Sequence, residues 1–453
     1  MLRMQPFFPF LLAAALSCSK GGQPSSPAPV NTTPTQYGTP FSGVPNPDDA
    51  VIYQVNLRAF SSTGNLAGVT ARLDSMKALG VNVVYLMPIY PVGALKSINS
   101  PYCIQYFDSV STEYGSLGDL RALVDGAHQR NMAVILDWVA EETSWDNPWI
   151  SSNPSWYQQN TSGNIISPSG YNDVAALNFN STPMRAAMIQ AMKFWVYAAN
   201  IDGFREDDAD AAPFNFWQQA IDTLKGITTH KLLLYAEGSQ PSEFTAGFQL
   251  QYDFGMYYTL KSVFASGLHV TSLDSLNALL YANIPGGDRM VRYTSNHDVD
   301  LSDGTPLTLF GGQQGSIAAF LVVAYMNSVP MIYGGQEVGC PVQLNYFNTS
   351  TVIDWTLNPA MTSTYKQIIG FYNSSPTLRY GQWQTYSSAD VCAFTKIQGT
   401  DTVWVMANLR NSSITYTLPA AITGAWTDAF SGDSVTLGAQ VTLAPYGFEV
   451  LKN

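Results

Sequence analysis

LGDLRALVDGAHQRNMAVILDWV, residues 117–139, holds the two periodicities on which the fold turns. The first part, 117–130, spaces its apolar residues for one face of a helix; the second, 132–139, is a short apolar run of strand character. The same alternation recurs from Ala50 onward. Runs at 51–57 (VIYQVNL), 81–87 (VNVVYLM), 201–207 (IDGFRED), 231–237 (KLLLYAE), 248–254 (FQLQYDF), 290–296 (MVRYTSN) and 329–335 (VPMIYGG) bring the strand count to eight. Amphipathic segments such as LAGVTARLDSMKALG separate most of them, which predicts a (β/α)8 barrel rather than an open sheet. The interval 140–200 is too long for an ordinary connection. It predicts a loop subdomain inserted after the third strand, at about 140–182, followed by a helix near 184–199. Beyond the barrel, assigned to 49–370, the segments DTVWVMANLR, SSITYTL and FEVLKN alternate in period two. They predict an all-β C-terminal domain, a sandwich, over 371–453.

The chain has 453 residues, 46% hydrophobic and 12% charged, enough for a large core. A net charge of −12 with no Lys/Arg run excludes nucleic-acid binding by phosphate neutralisation. Tryptophans and tyrosines cluster over 145–171, where exposed rings would suit stacking on sugars. At the N-terminus Arg3 precedes the apolar run PFFPFLLAAAL and then Ser17-Cys18. That run is too short to span a bilayer and has the form of a signal-peptide core. Ending at a cysteine, it resembles a bacterial lipoprotein signal, so residues 1–18 are expected to be a signal peptide and Cys18 the lipidated residue. The Pro/Ser/Thr/Gly-rich stretch 19–48 then reads as a flexible tether. This predicts a monomer exported to the cell envelope and held on its periplasmic or outer-membrane face. Cys103, Cys340 and Cys392 show no C-x-x-C spacing and give no support for zinc; whether two of them pair stays open.

In a parallel barrel the site lies at the C-terminal strand ends, so acids closing apolar runs are informative. Asp137 closes the third run, Arg205 and Asp207 the fourth and Glu237 the fifth; His297-Asp298 follows the seventh. Side chains alternate along a strand, placing Arg205 and Asp207 on one side and Glu206 and Asp208 on the other. An arginine beside Asp207 keeps it ionised, and an ionised Asp with a Glu on the next strand is the pairing a retaining glycosidase needs. Strand-end acids also serve as helix caps or surface charges, but this ordered set favours chemistry.

GFREDDA (203–209), LLLYAEG (232–238) and YTSNHD (293–298) resemble the second, third and fourth sequence regions of the α-amylase family of glycoside hydrolases. LDWVAEE resembles the first region, and VPMIYGGQEVG (329–339) the eighth-strand signature. The resemblance implies Asp207 as nucleophile, Glu237 as general acid/base and Asp298 as third carboxylate, acting on an α-glucan or maltooligosaccharide. It implies that Arg205 orients Asp207, that His297 binds hydroxyls of the reacting sugar and that Tyr102 stacks on it. The pair Glu141-Glu142 stands where the family usually has Asn, a calcium ligand, and then His, a donor to the sugar. Ala176 replaces a second calcium-binding Asp, and Tyr106 an Asp near the second strand's loop. No cofactor is expected, and the family's usual calcium site lacks two of its ligands. Adjacent residues on a strand face opposite sides, so Glu141 and Glu142 are not expected to face one substrate together. The resulting expectation is an α-glucan hydrolase. A transglycosylase, or a weakly active or non-catalytic glucan-binding protein, is the alternative.

Overall fold

The structure, a computed structural model, describes residues 34–453. The expected signal peptide, Cys18 and the first part of the tether lie outside the described residues. Eight short strands form the barrel: β1 Ile52–Val55, β2 Val83–Leu86, β3 Ala133–Trp138, β4 Gly203–Glu206, β5 Leu233–Ala236, β6 Leu250–Tyr252, β7 Arg289–Arg292 and β8 Val329–Tyr333. Each pairs in parallel with its neighbours, and β8 closes on β1 through Ile52 opposite Met331. Helices cover the outside, so both strand faces are buried and the runs are apolar throughout rather than alternating. Gly203 is required where it stands. A Cβ there would meet the Leu233 carbonyl oxygen at 1.9 Å, so only glycine lets β4 lie against β5.

The barrel interior is lined with tyrosines. Tyr235 packs on Tyr252 at 4.8 Å between ring centroids and on Tyr85 at 6.4 Å, with the guanidinium of Arg205 over the faces of Tyr85 and Tyr252. Residues 139–181 leave the barrel after β3 and include an antiparallel ribbon, Glu142–Ser144 with Val174–Ala176. The chain returns through the helix Thr182–Ala199, capped by Ser181.

The C-terminal part is all-β: a six-stranded antiparallel sheet beginning at Gln382–Thr385, and the two-stranded pair Ile414–Thr417 with Gln440–Leu443. Its core gathers Val391, Trp404, Met406 and Leu451. The boundary expected at residue 371 falls inside the helix Pro359–Ser374, whose buried Tyr365, Ile368 and Ile369 belong to the barrel core. Cys103, Cys340 and Cys392 are buried free thiols. Among the described residues no helix is long and apolar enough to cross a membrane.

The tether expected over 19–48 does not extend through its last part. Tyr37 donates its hydroxyl to Asp125 at 2.6 Å, Phe41 stacks on His128 at 4.3 Å, and Lys231 bonds the Val44 carbonyl at 2.9 Å. Aromatic residues scattered through a Pro/Thr-rich stretch supply those contacts, and composition alone hides them. Phe41→Ala is expected to lower the unfolding free energy by about 1.5–2.5 kcal/mol, half the cost of emptying a fully buried phenylalanine site. Urea midpoints of the two proteins check it.

Candidate active site

One fully buried cation organises the C-terminal mouth of the barrel. Arg205 on β4 donates from Nη1 to Asp137 Oδ1 and to Asp207 Oδ1, each at 2.6 Å, while Nη2 lies 2.5 Å from Glu237 Oε2. Asp137 closes β3, Asp207 follows β4 and Glu237 follows β5, so three consecutive strands deliver their acids to a single guanidinium. Arginine's planar fork suits this role, because it offers several donors in fixed directions. Asp207 and Glu237 are thereby brought to the two ends of one guanidinium group.

The turn after Asp207 fixes the pair further. Asp208 takes a left-handed backbone, φ 34° and ψ 56°, a conformation that side chains other than glycine adopt at a cost. Its amide donates to Glu237 Oε2 at 3.1 Å, and the next amide, of Ala209, donates to the Glu237 carbonyl at 2.7 Å. The sequence alternation placed Asp208 on the far side with Glu206. The strand ends at Glu206 and the left-handed turn carries Asp208 onto the cavity wall instead.

On the other side a chain of hydrogen bonds holds Tyr102. The Gln54 amide contacts His297 Nδ1 at 2.8 Å, His297 Nε2 contacts the Tyr102 hydroxyl at 2.7 Å, and that hydroxyl donates to Asp137 Oδ2 at 2.9 Å. Burial, with Arg205 nearby, pulls His297 down to about 3, so the ring is neutral. With Gln54 donating to Nδ1, the ring proton sits on Nε2 and points at Tyr102. Both nitrogens are occupied, and a sugar hydroxyl reaches His297 only by replacing that of Tyr102. Asp298 opens the helix His297–Asp303, where Asn296 caps its amide at 2.9 Å, and its carboxylate is half exposed towards the cavity.

These residues line a cavity of about 630 Å³ that holds Tyr102, Asp207, Glu237, His297 and Asp298 together. It also contains both Glu141 and Glu142. The expectation that they face apart fails because β3 ends at Trp138; by Glu141 the chain has left the strand and its alternation. Glu141 is only 9% exposed, its Oε2 has no partner, and burial with Asp207 beside it pushes its carboxyl well above the usual range. Burial and Asp173 push Glu142 up to about 8. Tyr106 is exposed and is absent from the cavity lining.

Residues 49–162 match the family model described as the alpha amylase catalytic domain. Over 306 residues the chain is 26% identical to alpha-amylase MalA of Haloarcula japonica, covering 64% of this chain and 44% of that protein. It is 27% identical over 346 residues to the alpha-1,4-glucan:maltose-1-phosphate maltosyltransferase of Rhodospirillum rubrum, covering 68% of this chain and 48% of that one. The chain thus spans about half the length of these relatives. Among solved structures, the alpha-amylase of Lactobacillus plantarum superposes with a TM-score of 0.81 at 23% identity, over 90% of this chain and 99% of that one. The match to the alpha amylase catalytic domain falls on the first part of the barrel, and the likeness in fold covers the whole of it.

At the positions where the resemblance implies calcium ligands, the residues differ from the usual donor set. Ala176 offers a methyl group where a carboxylate is usual, and it lies directly opposite Glu142 in the ribbon. Calcium wants six to eight oxygens; among the described residues no group of three Asp, Glu, His or Cys is placed to hold a metal. Asp137 stood out in the sequence without a role, and Tyr171 within an aromatic cluster; Gln54 and Tyr85 as supports, and Asp173 and Tyr346 as lining, did not stand out. Asp137 closes an apolar run, which was a readable signal; the others sit in loops or inside strands with no motif.

Glu142 also sets a pH dependence. Its native carboxyl holds a proton up to about 8, against an ordinary value of 4.5. Between those values the folded state binds the proton and the unfolded chain does not, so this group's contribution to stability falls as pH rises through the window. Glu142→Gln is expected to flatten the decline between pH 5 and pH 8. Urea melts of both proteins at the two pH values measure it.

Proposed function

We propose that this protein hydrolyses α-glucosidic bonds of starch-type glucans or maltooligosaccharides with retention of configuration. The observation that carries the reading is the single buried guanidinium holding Asp207 and Glu237 together. Retaining glycosidases need their two carboxyl groups close, at roughly 5–5.5 Å, because one must bond the anomeric carbon directly. In this reading Asp207, oriented by Arg205, attacks that carbon while Glu237 protonates the departing oxygen. Glu237 then takes a proton from water, which attacks the same carbon and releases the sugar from Asp207. Asp298, at the cavity's open side, receives hydroxyls of the sugar, and Tyr102 provides a ring beside it.

The same residues serve a transglycosylase when a sugar hydroxyl replaces water in the second step. Similarity to a maltosyltransferase keeps that reading as the second one. In either case the chemistry is assigned to carboxylates alone, with no calcium ion supporting the fold. We also assign Cys18 as a lipid anchor that holds a monomeric protein to the cell envelope.

Incubation with maltooligosaccharides, with anomers followed by NMR, should show the α-anomer first and shorter products only. Products longer than the substrate would select the transglycosylase, and no turnover would favour a binding protein. Asp207→Asn and Glu237→Gln should each lower kcat by about 10²–10⁴-fold or more while circular dichroism stays unchanged. Chelation should leave Tm and rate unaltered, since no ligand-linked stabilisation is lost; a fall in Tm on adding EDTA would refute this. Cys18→Ser should release the protein from the membrane fraction.

A further inference from the structure

We propose that Arg58, together with Asn99, is a positioning residue: it joins two loops and so holds the cavity wall that carries Tyr102 and Tyr346. The inference rests on reading the cavity as a glycan site, and it adds a residue that lies outside the cavity.

β1 ends at Val55 and the short helix Leu57–Phe60 follows at once. Because β1 pairs with both β2 and β8, this puts Arg58 between the long loops that leave those strands, 87–116 and 334–358. Arg58 is only 2% exposed and does not line the cavity. Its Nε and Nη2 donate to the two carboxylate oxygens of Glu113, at 2.7 and 2.8 Å, near the end of the first loop. Its Nη1 donates to the Asn99 carbonyl in the middle of that loop and to the Tyr346 carbonyl in the other, each at 2.7 Å. Asn99 repeats the bridge, donating from its side chain to the Phe347 carbonyl. It does so from a left-handed backbone, φ 64°, which asparagine tolerates better than most residues.

Both loops reach the cavity beside these bonds. Tyr102 lies just beyond Asn99, and its hydroxyl is bonded to Asp137 and His297. Tyr346 meets Tyr102 edge to face at 6.1 Å and His297 at 5.4 Å, and its hydroxyl lies 3.4 Å from Asp298 Oδ1. Both rings stand on irregular backbone, so no strand or helix ladder fixes their spacing. The bonds of Arg58 and Asn99 do that instead. Arg205 and Arg58 thus divide the cavity. Arg205 fixes the acids that follow β3, β4 and β5, and Arg58 fixes the loops that follow β2 and β8. Loosening the second set leaves the three acids on Arg205 in place. In the hydrolase reading this wall holds the sugar alike before and during reaction, so its loss weakens binding and spares the chemical step.

The test compares the full-length wild type with Arg58→Lys and Asn99→Gly. A lysine lacks the planar fork and cannot serve Glu113 and both carbonyls together. Glycine keeps the left-handed backbone at exposed position 99 and removes only the side-chain bridge. Hydrogen exchange read by mass spectrometry should rise at least roughly fivefold in peptides covering 97–104 and 344–351 and stay unchanged in β3, β4 and β5. With maltooligosaccharide, KM should rise about tenfold for Arg58→Lys and about threefold for Asn99→Gly, the scale of one or two net hydrogen bonds. Both variants should keep kcat within about twofold of wild type. Unchanged exchange in the two loops overturns the proposal. So does raised exchange with KM unaltered, or exchange that rises throughout the barrel with kcat falling, which is the signature of a purely structural arginine. If Arg58→Lys does not fold, Asn99→Gly decides by the same criteria. Wild-type turnover is scored separately: its absence removes the hydrolase reading, and exchange in the two loops then decides alone whether Arg58 and Asn99 hold the wall.

Discussion

Everything at the mouth of this barrel depends on burying Arg205. Taking a guanidinium out of water costs several kcal/mol even after the protein relaxes, and only well-placed partners repay it. Asp137, Asp207 and Glu237 provide those partners from three consecutive strands, and the faces of Tyr85 and Tyr252 provide more. Because the cation cannot move without losing all of them, each acid is fixed with respect to the others. The same ion pairing that compensates the buried charge therefore sets the geometry of the Asp207 and Glu237 carboxyl groups. Removing any one acid would leave the cation under-compensated, so the stability of the barrel mouth and the placement of its acids are coupled at this point.

Around that fixed floor the electrostatics run the other way. Asp137 is buried deeply enough that its carboxyl rises to about 6 despite Arg205. Higher on the wall, Glu141 and Glu142 have no cation and rise further. The cavity is thus layered: a base whose charges are compensated, and a wall whose carboxyls hold protons. A neutral His297, locked by Gln54 and Tyr102, adds no charge to either layer.

The barrel was legible because its strands are buried on both faces, which leaves short apolar runs that helical segments punctuate. Seven of the eight runs contain the observed strand, the seventh run missing only its strand's first residue, Arg289, and the acids closing the third, fourth and fifth are those that meet at Arg205. Local period gave no access to places where the backbone leaves regular geometry. Asp208 was assigned to the wrong side because a left-handed turn follows Glu206, and Glu141 and Glu142 because β3 stops at Trp138. Phe41 and Tyr37 were hidden in a stretch whose composition reads as tether; their contacts lie on residues far along the chain. The helix Pro359–Ser374 was divided because the change in texture was read before the packing that ties it to the barrel.

The unusual acids also explain one another. Glu142 and Ala176 are direct cross-strand partners in the antiparallel ribbon. Residues so placed project from the same face with Cβ atoms about 4.5–5.5 Å apart, where like charges repel. An aspartate at 176 would confront Glu142 across that distance, with Asp173 and Asp208 already near it. A methyl group at 176 avoids this confrontation and leaves the space to the longer side chain. The two departures from the family pattern are therefore a single change in physical terms. Once a carboxyl group occupies position 142, its opposite position favours a small, uncharged residue, and the ribbon lines the cavity with acids from one strand only at that level.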